Sequence, residues 1–173
     1  MVEDIKIDIN KRWHDDVTGR FIPKPENVDE KGRILAYHAT KNNFSNFQMG
    51  DIGFHFGTEE QANNRVRENR IIKKAIIHIK NPLYMEDRAS WNVEPEMIIK
   101  LENMGIANHE EAQQLLSKYK DDDHIGYNSS ANKMMRDFLE SKGYDGIVYK
   151  NKYEGEGLTY IAFHNEQIEK IGG

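Results

Sequence analysis

Three short segments carry side chains that are able to do chemistry. The segment Tyr37-His38-Ala39-Thr40 places an imidazole and a hydroxyl at the end of an apolar strand pattern, where both can face a cleft. The segment 52–58 is an aromatic strand bracketed by glycines that runs into a helix start, so flat rings lie beside backbone N–H groups. The loop Glu154-Gly155-Glu156-Gly157 supplies two carboxylates, and a carboxylate can stabilise a cationic transition state.

Each segment also has a purely structural interpretation. A single His38 at a strand end is commonly a satisfied structural residue. The rings of Phe54 and Phe56 are typical of a buried core strand, and the loop 154–157 is also typical of a solvated hairpin. Any one segment alone therefore favours no catalytic function, and the functional hypothesis depends on their joint occurrence.

The elements that position these segments follow from apolar periodicity and from end signals. Alternating or β-branched runs predict strands at 34–37, 52–56, 71–79, 146–149 and 158–163, with 83–85 continuing the third strand after a bend at Asn81-Pro82. A capping-box pattern of Thr58 with Gln61 predicts a helix to about residue 69. Further helices are predicted from Pro95 to Gly105, after the cap Asn108, and over 132–142 ahead of Gly143.

The order of strands, then helices, then strands predicts an α+β domain rather than a doubly wound α/β sheet. No Gly-x-Gly-x-x-Gly motif joins a strand to a helix, which disfavours a βαβ dinucleotide fold. With 173 residues, we expect one domain over 31–173. Residues 1–30 are polar and turn-rich and are interpreted as an extension or strap, and residues around 87–130 as a helical insert.

Composition narrows the class of function. The chain has no cysteine, which excludes disulfides, thiolate zinc sites and cysteine nucleophiles. The net charge of −5 argues against a domain built to hold nucleic-acid phosphates, and the basic run over 65–74 is interpreted as the solvated face of a helix. No run approaches the ~20 apolar residues of a membrane span, and the charged N-terminus does not resemble a signal peptide, so we expect a cytoplasmic location.

Taken together and in this order, the segments resemble the ADP-ribosyltransferase superfamily, in particular its small bacterial and phage-type members. Their first motif is similar to Tyr-His-Gly-Thr, matched here by 37–40 with Ala39 in place of glycine. The second is similar to Gly-x-x-Phe-x-Thr, matched by 53–58. The third is similar to Gly-Tyr-Asp-Gly-Ile-x-Tyr-x-Asn-x-x-Glu, matched by 143–154 ahead of the strand 160–163. The resemblance implies an ADP-ribosyltransferase-like split β-sandwich with peripheral helices.

The resemblance also implies roles for particular residues around NAD⁺, which would be the substrate. His38 would bond a ribose, the backbone of Ala39 would hold the nicotinamide amide, and Thr40 would steady the strand. Glu154 or Glu156 would bond the nicotinamide ribose and favour the oxocarbenium-like state. The remaining cofactor-binding residues implied are Gly53, Phe54, His55, Phe56, Gln61, Asn64 and Asn151, and no metal is implied.

Two departures from the family pattern matter for chemistry. The helix position at which many relatives carry a stacking tyrosine falls on Asn64 or Arg65, so Phe54 or His55 would serve as the stacking ring. Thr159 stands where the polymerase branch has its catalytic glutamate, so the acid must come from the loop 154–157 or be absent.

The resulting hypothesis is a mono-ADP-ribosyltransferase that uses NAD⁺ to modify a macromolecule, a protein rather than a nucleic acid. It would be a toxin-like or phage effector acting in a host-cell cytoplasm. The alternatives are an NAD⁺ glycohydrolase, with water as the acceptor, and a catalytically lapsed module that binds and inhibits a partner protein.

Overall fold

The structure is a computed structural model that describes residues 33–41, 51–65 and 68–172. The expected N-terminal extension over 1–30 lies outside these residues. The described part of the chain is mixed α and β, with two sheets, as the α+β prediction requires. None of its helices is long and apolar enough to cross a membrane.

The first sheet has three antiparallel strands in the order β1-β3-β7. They are β1 (Ile34–Thr40), β3 (Ile71–Ile77) and β7 (Ile168–Ile171). The sequence prediction omitted β7, because this short strand is mostly exposed and its apolar residues stand only at its two ends. Because β1 is an edge strand that pairs only with β3 within this sheet, its second edge faces the second sheet.

The second sheet has the order β2-β6-β5-β4, with β4 and β5 parallel and the other pairs antiparallel. Its strands are β2 (Phe54–Phe56), β4 (Pro82–Glu86), β5 (Gly146–Lys150) and β6 (Leu158–Ala162). The prediction that 83–85 continues the third strand is wrong, because the chain changes sheets at Asn81-Pro82. Asp145 fixes this change by accepting hydrogen bonds from the N–H groups of Lys80 and Asn81, at 2.7 and 2.9 Å.

The two sheets meet where β1 passes the end of β2. The N–H of Tyr37 donates to the carbonyl of Gly57 at 2.8 Å, and the N–H of Gly57 donates to the carbonyl of Tyr37 at 2.9 Å. A buried apolar cluster including Ile34, Phe54 and Val148 fills the space behind this junction. The first two motifs of the sequence are thereby held side by side.

Helix α1 (Glu59–Arg65) follows this junction directly. The hydroxyl of Thr58 accepts from the N–H of Gln61 at 3.2 Å, and the Gln61 side chain accepts from the N–H of Thr58 at 3.1 Å, which confirms the predicted capping box. The helix ends earlier than the predicted residue 69, because Asn69 has φ of 49°, a left-handed conformation outside the helix.

Three further helices pack on the second sheet: α2 (Pro95–Asn103), α3 (His109–Lys118) and α4 (Ser130–Ser141). The predicted cap of Asn108 with Glu111 is confirmed as a capping box. Helix α4 begins two residues before the predicted Asn132, because Ser129 is its cap. Gly143, with φ of +91°, follows its C-terminal end as predicted. Residues of α2 and α3 share one buried apolar cluster with the second sheet.

Candidate functional site

An open cleft lies at the junction of the two sheets and brings together all three segments that the sequence singled out. It encloses about 230 Å³, including its open mouth. Strand β1, the end of β2, helix α1 and the loop between β5 and β6 each supply part of its wall. The described residues that line it are Tyr37, His38, Ala39, His55, Phe56, Gly57, Gln61, Ala62, Arg65, Glu154 and Thr159.

His38 stands on the cleft wall next to β2. Its Nδ1 lies 2.8 Å from the carbonyl oxygen of His55, and its ring centroid lies 5.6 Å from that of Phe56. Since a carbonyl only accepts, Nδ1 carries the proton of the neutral imidazole and Nε2 is an acceptor. Burial lowers the pKa of His38 further than its hydrogen bond to the His55 carbonyl raises it, so the ring is neutral at pH 7. A neutral acceptor of this kind suits a sugar hydroxyl.

Ala39 offers backbone groups to the same cleft. The N–H and carbonyl of Tyr37 point away from β3, because both bond to Gly57. Along an antiparallel strand every second residue directs these groups to the same side, so Ala39 also points its N–H and carbonyl away from β3 and toward the cleft. Thr40 ends β1 and is buried, and it is not among the residues that line the cleft.

His55 is the most strongly perturbed group of the cleft. Burial lowers its pKa to about 3, with smaller contributions from the charge of Arg65 and from His38. The Asp51 carboxylate lies 3.7 Å from Nε2, which is beyond hydrogen-bond distance, so it does not offset burial. Among the described residues the buried Nε2 has no hydrogen-bond partner. The ring is therefore neutral, and it holds one buried polar atom without a hydrogen-bond partner among the described residues.

Gly53 and Phe54 lie behind the cleft rather than on its lining. A Cβ at Gly53 would approach the carbonyl oxygen of Ala162 to 2.3 Å, so glycine is required by the close approach of β6. Phe54 packs in the buried cluster, with its ring 5.7 Å from that of Tyr127. At these two positions the structure shows the core-strand arrangement, whereas His55 and Phe56 line the cleft.

The loop between β5 and β6 is organised by Asn151. Its Oδ1 accepts from the N–H groups of Tyr153 and Glu154, at 2.9 and 2.8 Å. Its Nδ2 donates to Oε2 of Glu154 at 3.1 Å and to the hydroxyl of Thr159 at 3.0 Å. Asn151 thus fixes both the backbone and the carboxylate of Glu154, which lines the cleft. The side chain of Glu156 is exposed and does not line it.

Gln61 connects helix α1 to this loop. Its Nε2 donates to the carbonyls of Gly155 and Glu156, at 3.3 and 3.0 Å, and its Oε1 also accepts from the Thr159 hydroxyl at 2.9 Å. Asn64 adds a hydrogen bond from Nδ2 to the carbonyl of Glu154 at 2.7 Å. Gln61, Asn64 and Asn151 therefore position the loop in this structure, and they are three of the residues that the sequence singled out.

Five residues that line the cleft were not among the predicted site residues: Tyr37, Gly57, Ala62, Arg65 and Thr159. Two of them, Thr159 and Arg65, make side-chain contacts with residues that were predicted. The sequence placed Thr159 at the glutamate position of the polymerase branch but assigned it no role, and the structure shows its hydroxyl bonded to both Asn151 and Gln61. The Nε of Arg65 lies 3.5 Å from Oε1 of Glu154. The basic run 65–74 was interpreted as the solvated face of a helix. Arg65 is exposed at the end of α1, as that interpretation expects, and it also contacts the loop. For Lys73 and Lys74 the interpretation is wrong, because they lie in β3.

The fold and the cleft define an ADP-ribosyltransferase-like α+β domain. The family model described as "ADP-ribosyltransferase in polyvalent proteins" matches residues 29–173. The chain therefore belongs to this family, which confirms the resemblance seen in the sequence. No curated protein matches the chain. A solved structure described as "Crystal structure of an anti-CRISPR protein" matches 80% of this chain and 96% of its own at 16% identity, with a TM-score of 0.37. A match at that TM-score supports no functional argument.

Proposed function

We propose that this protein is a mono-ADP-ribosyltransferase that cleaves NAD⁺ and transfers ADP-ribose to a protein acceptor, with Glu154 as its catalytic carboxylate. One observation carries the proposal: the loop hydrogen bonds hold the carboxylate of Glu154 on the cleft wall that also carries His38. The membership of the family supports NAD⁺ as the substrate. Glu154 is preferred over Glu156 because only Glu154 lines the cleft.

The remaining cleft residues fit the parts of NAD⁺. Nε2 of His38 would accept a hydrogen bond from a ribose hydroxyl, and the backbone of Ala39 would pair with the nicotinamide carboxamide. His55 and Phe56 would line the nicotinamide pocket. These contacts would position the substrate without a change in the charge of the imidazoles, because burial keeps both neutral.

The reaction breaks the bond between C1′ of the ribose and the nicotinamide nitrogen. The bonding electron pair leaves with nicotinamide and neutralises its positive charge, and C1′ takes up oxocarbenium character. Glu154, hydrogen-bonded to the ribose 2′-hydroxyl, would stabilise this positive charge. An acceptor nucleophile then forms the new bond to C1′ and loses its proton. A protein acceptor agrees with the net charge of −5, which disfavours nucleic acid. An effector role in a host-cell cytoplasm stays a prediction from the resemblance.

The direct test is to incubate the protein with NAD⁺ carrying a label in the adenosine half, first alone and then with cell lysate. The proposal expects nicotinamide release that rises when lysate is added. It also expects labelled bands on a denaturing gel that disappear after protease treatment, because the label is then bound to protein. Free ADP-ribose with no labelled protein would instead show an NAD⁺ glycohydrolase. Neither product, with wild-type protein that melts cooperatively, would support the lapsed binding module and contradict the proposal.

A further inference from the structure

Of the described residues that line the cleft, Arg65 is the charged one to which the proposed chemistry assigns no role. It is the last residue of α1, and its side chain is 41% exposed. Of the described residues that line the cleft, Arg65 alone carries a permanent positive charge, since His38 and His55 are neutral. Among the described residues that line the cleft, its ion-pair partner is Glu154, whose carboxylate the reaction needs for the ribose.

Lys73 places a second positive charge on the same wall. The register of β1 and β3 pairs Lys73 with His38, and directly paired residues of antiparallel strands carry their side chains on the same face. After burial, the largest cause, the charges of Arg65 and Lys73 both lower the pKa of His38, so both act at this part of the cleft. The expected ribose-binding residue is therefore within reach of two cations.

We propose that Arg65 binds the diphosphate group of the dinucleotide and that it leaves Glu154 when the substrate enters. This inference rests on the proposed function. In a dinucleotide the diphosphate is separated by a single ribose from the nicotinamide, and Glu154 contacts that ribose. A guanidinium beside Glu154 therefore has to turn only a short way to reach the diphosphate. Its fork of N–H donors matches phosphate oxygens, and the charge of Lys73 adds to the attraction.

The existing ion pair is suited to such an exchange. An ion pair at 3.5 Å with a half-exposed cation contributes little to stability, so its loss is readily offset by contacts to a group that carries two negative charges. The exchange also leaves the Glu154 carboxylate with its hydrogen bond from Nδ2 of Asn151. One oxygen of the carboxylate is then available to the ribose hydroxyl. Arg65 thus acts as a positioning residue that couples substrate entry to the release of Glu154.

The test measures the binding of ADP-ribose, which has the diphosphate and is not cleaved, by calorimetry at neutral pH. Arg65→Gln should raise its Kd about tenfold or more, as expected for the loss of a hydrogen bond between charged groups. Arg65→Lys should recover part of the affinity, because it keeps the charge without the fork. The matched control is Arg70→Gln: Arg70 donates to the carbonyl of Asn63 at 2.9 Å and does not line the cleft. It should bind as wild type does.

A second pair of variants shows whether Arg65 contacts the diphosphate itself or changes affinity only through its ion pair with Glu154. In a Glu154→Gln background, adding Arg65→Gln should still weaken ADP-ribose by a similar factor. If the effect disappears in that background, Arg65 acts only on Glu154 and the inference is overturned. Wild-type affinity in Arg65→Gln itself would also overturn it while leaving the proposed function intact. Wild-type protein that neither binds ADP-ribose nor cleaves NAD⁺ would contradict the proposed function and this inference together.

Discussion

Asn151 holds Glu154 at two points: its Oδ1 accepts from the Glu154 N–H at 2.8 Å, and its Nδ2 donates to the Glu154 carboxylate at 3.1 Å. Asn151 is itself buried, and its Nδ2 also donates to the Thr159 hydroxyl on β6. The carboxylate is therefore tied to the sheet although it belongs to a loop with two glycines. This tie is the reason to expect one acid of the loop to differ sharply from the other.

Glu154→Gln should lower the rate of nicotinamide release by roughly 10²–10³, the range seen when an electrostatic stabiliser of a transition state is removed. Glutamine keeps the size and a hydrogen bond, so the affinity for NAD⁺ should be nearly unchanged. Glu156→Gln is the matched control and should retain most activity, because the Glu156 side chain is exposed. The measurement is nicotinamide release beside NAD⁺ affinity for both variants. Loss of turnover in Glu156→Gln alone would reverse the assignment.

NAD⁺ should stabilise the fold, because a ligand that binds only the native state shifts unfolding by mass action. At a concentration of 100 times Kd the gain is about 2.7 kcal/mol. His38→Ala should reduce this gain without abolishing cooperative unfolding, since His38 lies on the cleft wall rather than in the apolar clusters. Thermal melts with and without NAD⁺ measure both effects. A variant that unfolds far more readily yet keeps wild-type NAD⁺ affinity would show that His38 is structural.

The sequence predicted the strands and helix caps around this site better than the tertiary contacts that join them. Strand positions, the Thr58 cap and the asparagine cap of α3 follow from local rules, which act within a few residues. The change of sheet at Pro82 and the pairing of β7 depend on contacts between residues that are distant in the sequence. Apolar periodicity carries no information about such contacts. For the same reason Gln61 was visible as a cap but not as the link to a loop more than ninety positions away. The ion pair of Arg65 is likewise a tertiary contact.

Gly57→Ala should impair catalysis more than folding. A Cβ at Gly57 would come within 2.2 Å of Oε1 of Gln61, so the Gln61 side chain must move and give up its hydrogen bonds to the loop of Glu154. A displacement of about 1 Å can cost up to roughly 100-fold in rate. The measurement is nicotinamide release beside the melting temperature. In a Gln61→Ala background the same substitution should have a far smaller effect. Equal losses in both backgrounds would show that Gly57 acts independently of Gln61.

Stability should fall on acidification because of His55. In the folded state burial holds its pKa near 3, whereas in the unfolded chain the imidazole takes up a proton near its ordinary value of 6.5. Between these values the unfolded state binds more protons, so the free energy of unfolding decreases as pH falls from about 6.5 toward 3. The contribution approaches ~1.4 kcal/mol for each pH unit within that window. Above pH 6.5 it is absent, because both states are then neutral.

His55→Phe removes this contribution while keeping a ring of similar size in β2. Urea unfolding of the wild type and the variant at about pH 7.5, 6 and 5 should give a shallower pH dependence for the variant. Other groups, such as the carboxylate of Asp51, titrate in both proteins, so the difference between the two slopes isolates the imidazole. Parallel slopes would mean that His55 protonates inside the fold. An NMR titration of the imidazole shifts settles that case independently, since a neutral His55 should show no titration step between pH 7.5 and about 5.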